Sequence, residues 1–537
     1  MKDKKANSIE IPAAEESFEQ MRRFFREYLE EEKVSKEGIL ETMLVMEALF
    51  HNLLEQGIGA DTLLTLSRKK SLGNIMIQIG FEGKIAYLFT EETSGKTPEN
   101  SILHAYEERI DSSYNAGYNS FQITVKRKHM LSLLYCLIGL LCAVLVWIPL
   151  HSLMELGDQL QLIHYYLMPM EAFFGNLLLM IGAPVTFFSL LKNLTTIQIM
   201  SNRSSDVRKL RVKTMARSVL AILLSIAISY PFFSLFFTAA APAEETANVF
   251  SKLFASFISE AVPPSIFEPF ESASPIPLIV VSLVVTTAFC LTGRYLPKLK
   301  KAVDICYTVF SKMLGVVMYL FPFFFFVTAL HLMIENTFDI VSTLLFGALL
   351  IFAATLIFIV FLFLRLRAGG VPLRPFLKKL MPLLMENCMI NSSIDSVPFN
   401  IRYCARHYGM NRKRLEEILP VLAQIDFIGN TFILMSIALF MGFWSGISLE
   451  WYYILIWAIL VFFLSLGAPN QPGSILIGTI IILQYQGMSG NAFLFVPIVL
   501  EAALGMIMNL VNVLGDIITA AVEEKKHSVP KNQNASV

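Results

Sequence analysis

After residue 129 the chain is a succession of apolar blocks separated by short charged segments. Met130–Leu150 carries no Asp, Glu, Lys or Arg. At about 1.5 Å of helical rise per residue it is long enough to cross a hydrocarbon core of about 30 Å. Comparable runs occur at Phe173–Leu191, Ser218–Phe236, Pro275–Thr292, Met313–Met333, Ile340–Leu364 and Ile418–Trp444, the last interrupted by Asp426. Residues 1–128 are different in kind. They predict two helices, Glu15–Glu32 and Lys36–Gln56, then strands at Gly73–Gly80 and Lys84–Thr90. A short helix at Asn100–Ile110 and a strand at Ser120–Lys126 follow.

Composition sharpens this division. Of 537 residues, 55% are apolar and 16% charged, with a mean hydropathy of +0.58. An ordinary soluble enzyme carries about 25% charged residues. Lys+Arg 43 against Asp+Glu 43 leaves no net positive field to hold phosphates, so a nucleic-acid partner is not expected. Residues 1–128 hold 21 of the acids and 17 of the bases, which sets a mildly acidic soluble domain before a membrane region at 129–526 and a tail at 527–537. The N-terminus has no apolar core segment, so no cleavable signal peptide is expected.

Every second loop is basic. Lys126, Arg127 and Lys128 precede the first run, and Lys192 to Arg217 follow the second. Arg294 to Lys301 follow the fourth, and Arg365 to Lys379 the sixth. The intervening segment after the third run has five acids and one base. This pattern places both termini in the cytoplasm of a multi-pass plasma-membrane protein. The six cysteines form no CxxC, and no HExxH, GxSxG, Walker A or GxGxxG sequence occurs, so neither catalysis nor a resident cofactor is expected.

Two stretches are too short or too broken for simple spans, at about 376–410 and 451–486. The first has apolar arms around the polar tip Asn391-Ser392-Ser393-Ile394-Asp395-Ser396; the second has GAPNQPG, Gly467–Gly473, between two apolar arms. Backbone freed by Pro and Gly is tolerated at membrane depth only against protein or a water-filled cavity. Paired interrupted segments point to a transporter substrate site. The alternative is two extramembrane loops joining ordinary helices. Nearby, Asp426 and Asn430 are four apart, and Glu501, Gly505, Met508, Asn509, Asn512 and Asp516 share one stripe of a 3.6-residue helix. A carboxylate in mid-membrane costs about 3 kcal/mol or more, so it is expected to face a partner or a cavity. Glu501 and Asp516 could instead lie near the segment ends and reach interfacial water.

Residues 130–522 resemble the dicarboxylate/amino acid:cation symporter family. The resemblance is carried by the serine-rich tip at Asn391–Pro398, by GAPNQPG, by Asn512-Val513-Leu514-Gly515-Asp516 on the last helix, and by Leu177–Leu194. It implies a multi-pass α-helical membrane protein with eight transmembrane helices plus two re-entrant hairpins. It also implies an inverted-repeat elevator mechanism and a homotrimer, with an N-terminal cytoplasmic α+β domain appended here. Where the family has Asn-Met-Asp-Gly-Thr, this chain has Asp426-Phe427-Ile428-Gly429-Asn430, so a sodium-ligating aspartate is replaced by Ile428. The Thr-Ser pair sharing that ion aligns with Ala221-Ile222. The aspartate that holds a solute amino group aligns with Gly505, the arginine that holds an acidic side chain with Met508, and a solute-binding threonine with Asn509.

The resemblance thus implies substrate contacts from Asn391, Ser392, Ser393, Asp395, Asn430, Pro469, Gln471, Gly505, Met508 and Asn509, and a cation site from Asp426, Asn512 and Asp516. Without the arginine a dicarboxylate leaves a buried charge unpaired, so a neutral amino acid or a monocarboxylate is expected. The coupling ion is a sodium at Asp516, or a proton shared with Asp426.

Residues 15–127 more weakly resemble the histidine-kinase-type ATPase fold of small anti-sigma-factor kinases. Glu47-Ala48-Leu49-Phe50-His51 and Asp111, Tyr114, Gly117 and Asn119 carry that likeness. His51 replaces the magnesium-binding Asn, and Glu92–Lys96 the glycine-rich nucleotide loop. A non-hydrolysing module that senses a ligand or docks a cytoplasmic protein partner is expected; an unrelated α+β module is the alternative. For the whole chain the leading reading is a symporter with a regulatory domain. Its rivals are a transporter-derived receptor signalling through residues 1–128 and a membrane-tethered kinase.

Overall fold

The computed structural model describes residues 8–58, 62–71, 74–83, 103, 106, 110–115, 118–126, 132–201, 205–237, 259, 261–271, 274–335, 338–394, 396–446, 449–468, 472–486 and 495–528. The chain divides into two units, Met1–Met130 and Leu131–Val537.

In the first unit β1 (Ser8–Pro12), α1 (Phe18–Glu31), α2 (Lys36–Glu55), β2 (Leu63–Ser71), β3 (Asn74–Glu82), β4 (Ile110–Asn115) and β5 (Tyr118–Lys126) build two helices and one sheet. The sheet order is β1-β2-β3-β5-β4 and every neighbouring pair is antiparallel. Alternate residues face the core, as strand geometry requires: Leu64 and Leu66, then Ile75, Ile77, Ile79 and Phe81, then Phe121 and Ile123 are buried. Met21, Phe25 and Leu29 of α1 and Val45, Met46, Leu49 and Phe50 of α2 belong to the same core. Ser35 caps α2, its hydroxyl accepting the Gly38 amide at 3.2 Å. The expected helices and the strands at Gly73–Gly80 and Ser120–Lys126 match elements of the structure. Strands β1, β2 and β4 were not expected. The expected strand Lys84–Thr90, most of the helix at Asn100–Ile110, and Glu92–Lys96 lie outside the described residues.

Among its described residues the second unit is built of helices without a strand. Its principal helices are α3 (Ser132–Leu153), α4 (Met168–Ser201), α5 (Ser205–Phe236), α6 (Pro275–Leu291), α7 (Leu296–Ile334) and α8 (Phe338–Ala368). They continue as α9 (Leu380–Ile390), α10 (Val397–Tyr408), α11 (Arg412–Ile425), α12 (Ile428–Trp444), α13 (Trp451–Gly467), α14 (Ser474–Tyr485) and α15 (Phe495–Ser528). Among the described residues seven helical stretches are long and apolar enough to cross a membrane, and α6, α13 and α14 are apolar but shorter. This is a multi-pass membrane protein. Its outer faces are apolar and open, as on α3 (Leu137, Ile138, Leu141, Leu145) and α8 (Leu345, Leu349, Leu356, Val360). Helix α12 is the opposite: every residue from Ile428 to Phe443 is buried. It packs against α5 and α15, while α14 packs against α15.

The run expected as one span over Ile418–Trp444 is broken. Helix α11 ends at Ile425; Asp426 (φ −103°, ψ 80°) and Phe427 (φ −100°, ψ 46°) are non-helical, and α12 restarts at Ile428. Asp426 and Asn430 therefore do not share the face of one regular helix, and the restart exposes a fresh set of N-terminal amides in the middle of the protein.

Candidate functional site around the polar stripe of the last helix

Helix α15 is the spine of the site. Each member of its polar stripe meets a different break in the helical architecture. Asn512 meets the restart of α12. Its Oδ1 accepts the amides of Gly429 (2.8 Å) and Asn430 (3.2 Å), and its Nδ2 donates to Asn430 Oδ1 at 2.7 Å. The contact is close because position 429 has no side chain: a Cβ there would lie 2.6 Å from the Met508 carbonyl oxygen and 2.8 Å from Asn512 Oδ1. The helix break thus has its orphan amides satisfied by a side chain from a neighbouring helix.

Asn509 meets the tip between α9 and α10. Helix α9 ends with Asn391 in the left-handed region (φ 49°), a conformation Asn tolerates better than most residues. Asn509 Nδ2 donates to Asn391 Oδ1 at 2.9 Å and to its carbonyl at 3.3 Å. Below the tip the arms are tied by a reciprocal amide pair, Asn387 to Asn400 at 2.8 Å and Asn400 to Asn387 at 3.2 Å. Ser396 Oγ closes the tip on the Ser393 carbonyl at 2.9 Å. Ser392 and Ser393 are buried there.

Glu501 meets the turn between α13 and α14. Its Oε1 accepts the Gly473 amide at 2.8 Å and its Oε2 the Leu476 amide at 3.0 Å, so one carboxylate grips the N-terminus of α14. Gly473 sits at φ +101°, a left-handed turn that favours glycine. Glu501 is only 8% exposed and does not reach interfacial water. Its side chain folds over Gly505, where a Cβ would lie 2.6 Å from Glu501 Oε1.

Asp516 lies in a buried charged group. Arg217 Nη2 of α5 stands 2.7 Å from Asp426 Oδ2, with side chains 10% and 0% exposed, and also donates to Thr214 Oγ1 at 2.7 Å. Asp516 is within electrostatic reach of both Asp426 and Arg217. Toward the C-terminal end of α15, Lys213 pairs with Glu523 at 2.7 Å and Arg365 donates to Thr519 at 3.2 Å. Ile428, Ala221 and Ile222 are all buried, and Ile428 Cδ1 fills the space over Gly515, 2.3 Å from where a Cβ would stand, so the surroundings of residue 428 are apolar.

Among the described residues of this site, six buried side-chain oxygens and amide nitrogens have no hydrogen-bond partner: Ser393 Oγ, Asn430 Nδ2, Asn509 Oδ1, Asp516 Oδ1 and both carboxylate oxygens of Asp426, one of which stands at ion-pair distance from Arg217. Buried polar groups are nearly always paired, so this concentration of unpaired atoms sets the stripe apart from the rest of the helical unit. Of the sequence-derived residues, Asn391, Ser393, Asn430, Gly505, Met508, Asn509, Asn512, Asp516 and Asp426 are brought to one helix and its neighbours. Asp395, Pro469 and Gln471 lie outside the described residues. The Asn512 oxygen is engaged by two amides, whereas Asp516 Oδ1 and both Asp426 oxygens accept no hydrogen bond. Arg217 was read from the sequence only as a loop charge, and no local signal marks it as the partner of a residue 209 positions away.

The model of a family described as the sodium:dicarboxylate symporter family matches residues 132–526. No curated protein matches the chain.

Proposed function

The chain belongs to the sodium:dicarboxylate symporter family, and from that premise we propose that it is a secondary active transporter taking up a neutral amino acid or a monocarboxylate together with one monovalent cation. The family is one of cation-coupled symporters, and the multi-pass membrane fold agrees with that. The finer reading rests on one observation: three unpartnered polar atoms from three elements, Ser393 Oγ, Asn430 Nδ2 and Asn509 Oδ1, line a single helix beside the apolar Met508. Two acceptors or hydroxyls and one amide donor suit a small polar solute. Among the described residues no cationic side chain is recorded in contact with them to hold a second carboxylate.

Asp426 is neutralised by Arg217, and Asp516 keeps a free oxygen, which supports a single coupling cation, sodium or a proton, at Asp516. The same reading takes the pairs α9/α10 and α13/α14 as re-entrant hairpins, whose arms of 11 to 17 residues are short for a span. It also takes eight transmembrane helices, an elevator motion within a trimer, a plasma-membrane location, and both termini in the cytoplasm. Residues 1–128 are its regulatory module, for which the histidine-kinase-type ATPase likeness remains our proposal; titrating that segment with ATP and magnesium tests it, and tight magnesium-dependent binding would revive a kinase.

The test is thermal unfolding of the full-length protein against neutral amino acids, monocarboxylates and dicarboxylates, in sodium, in potassium and at two pH values. A ligand at about 100 times its dissociation constant adds about 2.7 kcal/mol to stability. Stabilisation by neutral amino acids or monocarboxylates, enhanced by sodium or acid, is expected. Stabilisation by dicarboxylates alone would overturn the solute assignment.

A further inference from the structure

Sodium is the ion that the family's description implies, and hard cations are held by oxygen ligands. Around Asp426 and Asp516 several of the side-chain oxygens are already engaged by groups of this chain. Asn512 Oδ1 takes two backbone amides, Asn430 Oδ1 takes the Asn512 side-chain amide, and Asp426 Oδ2 faces Arg217 Nη2 at 2.7 Å. Ala221 and Ile222 bring no hydroxyl from α5, and Ile428 brings no carboxylate from α12. What α5 brings instead, one turn before Ala221, is the guanidinium of Arg217. This donor set does not fit a metal cation, because a fixed positive charge already stands in it.

The charges close without an added ion. Arg217 is within electrostatic reach of Asp426 and Asp516, and Arg365 of Asp426. Two carboxylates thus face two guanidinium groups, while Glu523, further along α15, has its own partner in Lys213 at 2.7 Å. Burial gives this balance weight: the Arg217 and Asp426 side chains are 10% and 0% exposed, so little water screens them. The Arg217 nitrogen is also held from its own helix, donating to Thr214 Oγ1 at 2.7 Å. A guanidinium is a permanent cation and, unlike a metal ion, does not dissociate from the protein. A sodium ion added to the group would leave a buried positive charge without a partner, which is costly.

We propose that Arg217 is a resident cation that takes the place of sodium in this site, so that solute binds without any metal ion. The inference rests on the transport reading above and deepens it, removing sodium from its two candidate coupling ions. A consequence is that the sodium site is latent. Without the arginine, Asp426 and Asp516 carry an unbalanced negative charge beside the space the guanidinium vacates, and a small cation fills it.

The experiment is thermal unfolding of the full-length protein in sodium, potassium and choline chloride at equal ionic strength, alone and with each solute of the panel above. The wild type is expected to unfold at the same temperature in all three salts and to bind its solute equally well in each. Arg217→Gln removes the charge. It is expected to be less stable than wild type in choline and to regain stability as sodium is added, in a saturable way that potassium does not reproduce. Arg217→Ser, which leaves more room and adds a hydroxyl oxygen, carries the same expectation and serves if Arg217→Gln does not fold. Arg217→Lys keeps the charge and is expected to stay indifferent to sodium; a response equal to that of Arg217→Gln would show that the charge is not what excludes the ion, and overturns the inference. A wild type whose unfolding temperature or solute affinity rises with sodium also overturns it and leaves the transport reading standing, with sodium as its ion. So do Arg217→Gln and Arg217→Ser proteins that sodium stabilises no more than potassium does, because Arg217 is then the ion-pair partner of Asp426 only. A wild type stabilised by no solute of any class counts against the transport reading, and the salt comparison still decides what Arg217 replaces.

Discussion

Two buried carboxylates on one helix are held in opposite ways. Glu501 and Asp516 are fifteen residues apart on α15, about 22 Å of helical rise. Glu501 has both oxygens bound by backbone amides of another segment and no cationic partner among the described residues. Asp516 sits in a field of fixed charges, Arg217 and Asp426, yet leaves Oδ1 with no hydrogen bond at all. One carboxylate is anchored to a turn between two short helices, and the other is left open beside a neutralised neighbour. Burial alone therefore does not assign a role. What each acid still has to offer differs: Glu501 has both oxygens engaged by amides, whereas Asp516 keeps one oxygen without a hydrogen bond.

The largest expected effect tests the charged end. Replacing Arg217 with Gln leaves Asp426 buried without its partner and should cost about 3–5 kcal/mol of stability. Adding Asp426→Asn to the same protein should recover most of it, read by thermal unfolding of single and double variants. If the single variant is as stable as wild type, the ion pair does not hold that end together.

Gly429→Ala comes next. Its methyl would stand 2.6 Å from the Met508 carbonyl and crowd Asn512, and forced packing of this kind costs about 1–3 kcal/mol. It should weaken both solute and cation binding, because Asn512 joins the two ends. A loss confined to one ligand would show that the ends are independent.

Ser393→Ala should be the mildest for the fold and still visible in binding. Its hydroxyl has no partner within the protein, so its removal leaves nothing buried unpaired. Loss of a single solute hydrogen bond of about 1 kcal/mol lowers affinity roughly fivefold. Unchanged affinity would remove Ser393 from the site.

Much of this architecture is legible in the sequence. Apolar blocks long enough to span announce themselves by composition, and Pro, Gly and Asn mark the turns at Asn391 and Gly473. The stripe on α15 follows from helical spacing alone, because 501, 505, 508, 509, 512 and 516 fall on one face whatever they touch. What spacing does not carry is partnership. Arg217 with Asp426 and Glu501 with Gly473 are contacts between segments far apart in the chain, and each side chain also reads plausibly as a solvated charge. The break at Asp426-Phe427 was invisible because Ile418–Trp444 is apolar enough to pass as one helix, and only the amides accepted by Asn512 explain how an interruption is tolerated. In the first unit β2 (LLTLSRKKS) loses its alternation in a charged second half, and β1 is only five residues long. Strands of this sort are fixed by pairing with neighbours rather than by their own pattern.

The central claim, solute movement coupled to one cation at Asp516, is tested most directly by uptake into proteoliposomes. Wild type and Asp516→Asn protein are each given an inward gradient of sodium, of protons, or of neither, with a radiolabelled amino acid that stabilises the wild type. The account predicts uptake driven above equilibrium by one of the two gradients in the wild type, with that drive lost in Asp516→Asn. Tight solute binding with no gradient-driven uptake in the wild type, or the same drive in both proteins, would contradict it, and the first of these would make the protein a receptor built on a transporter's fold.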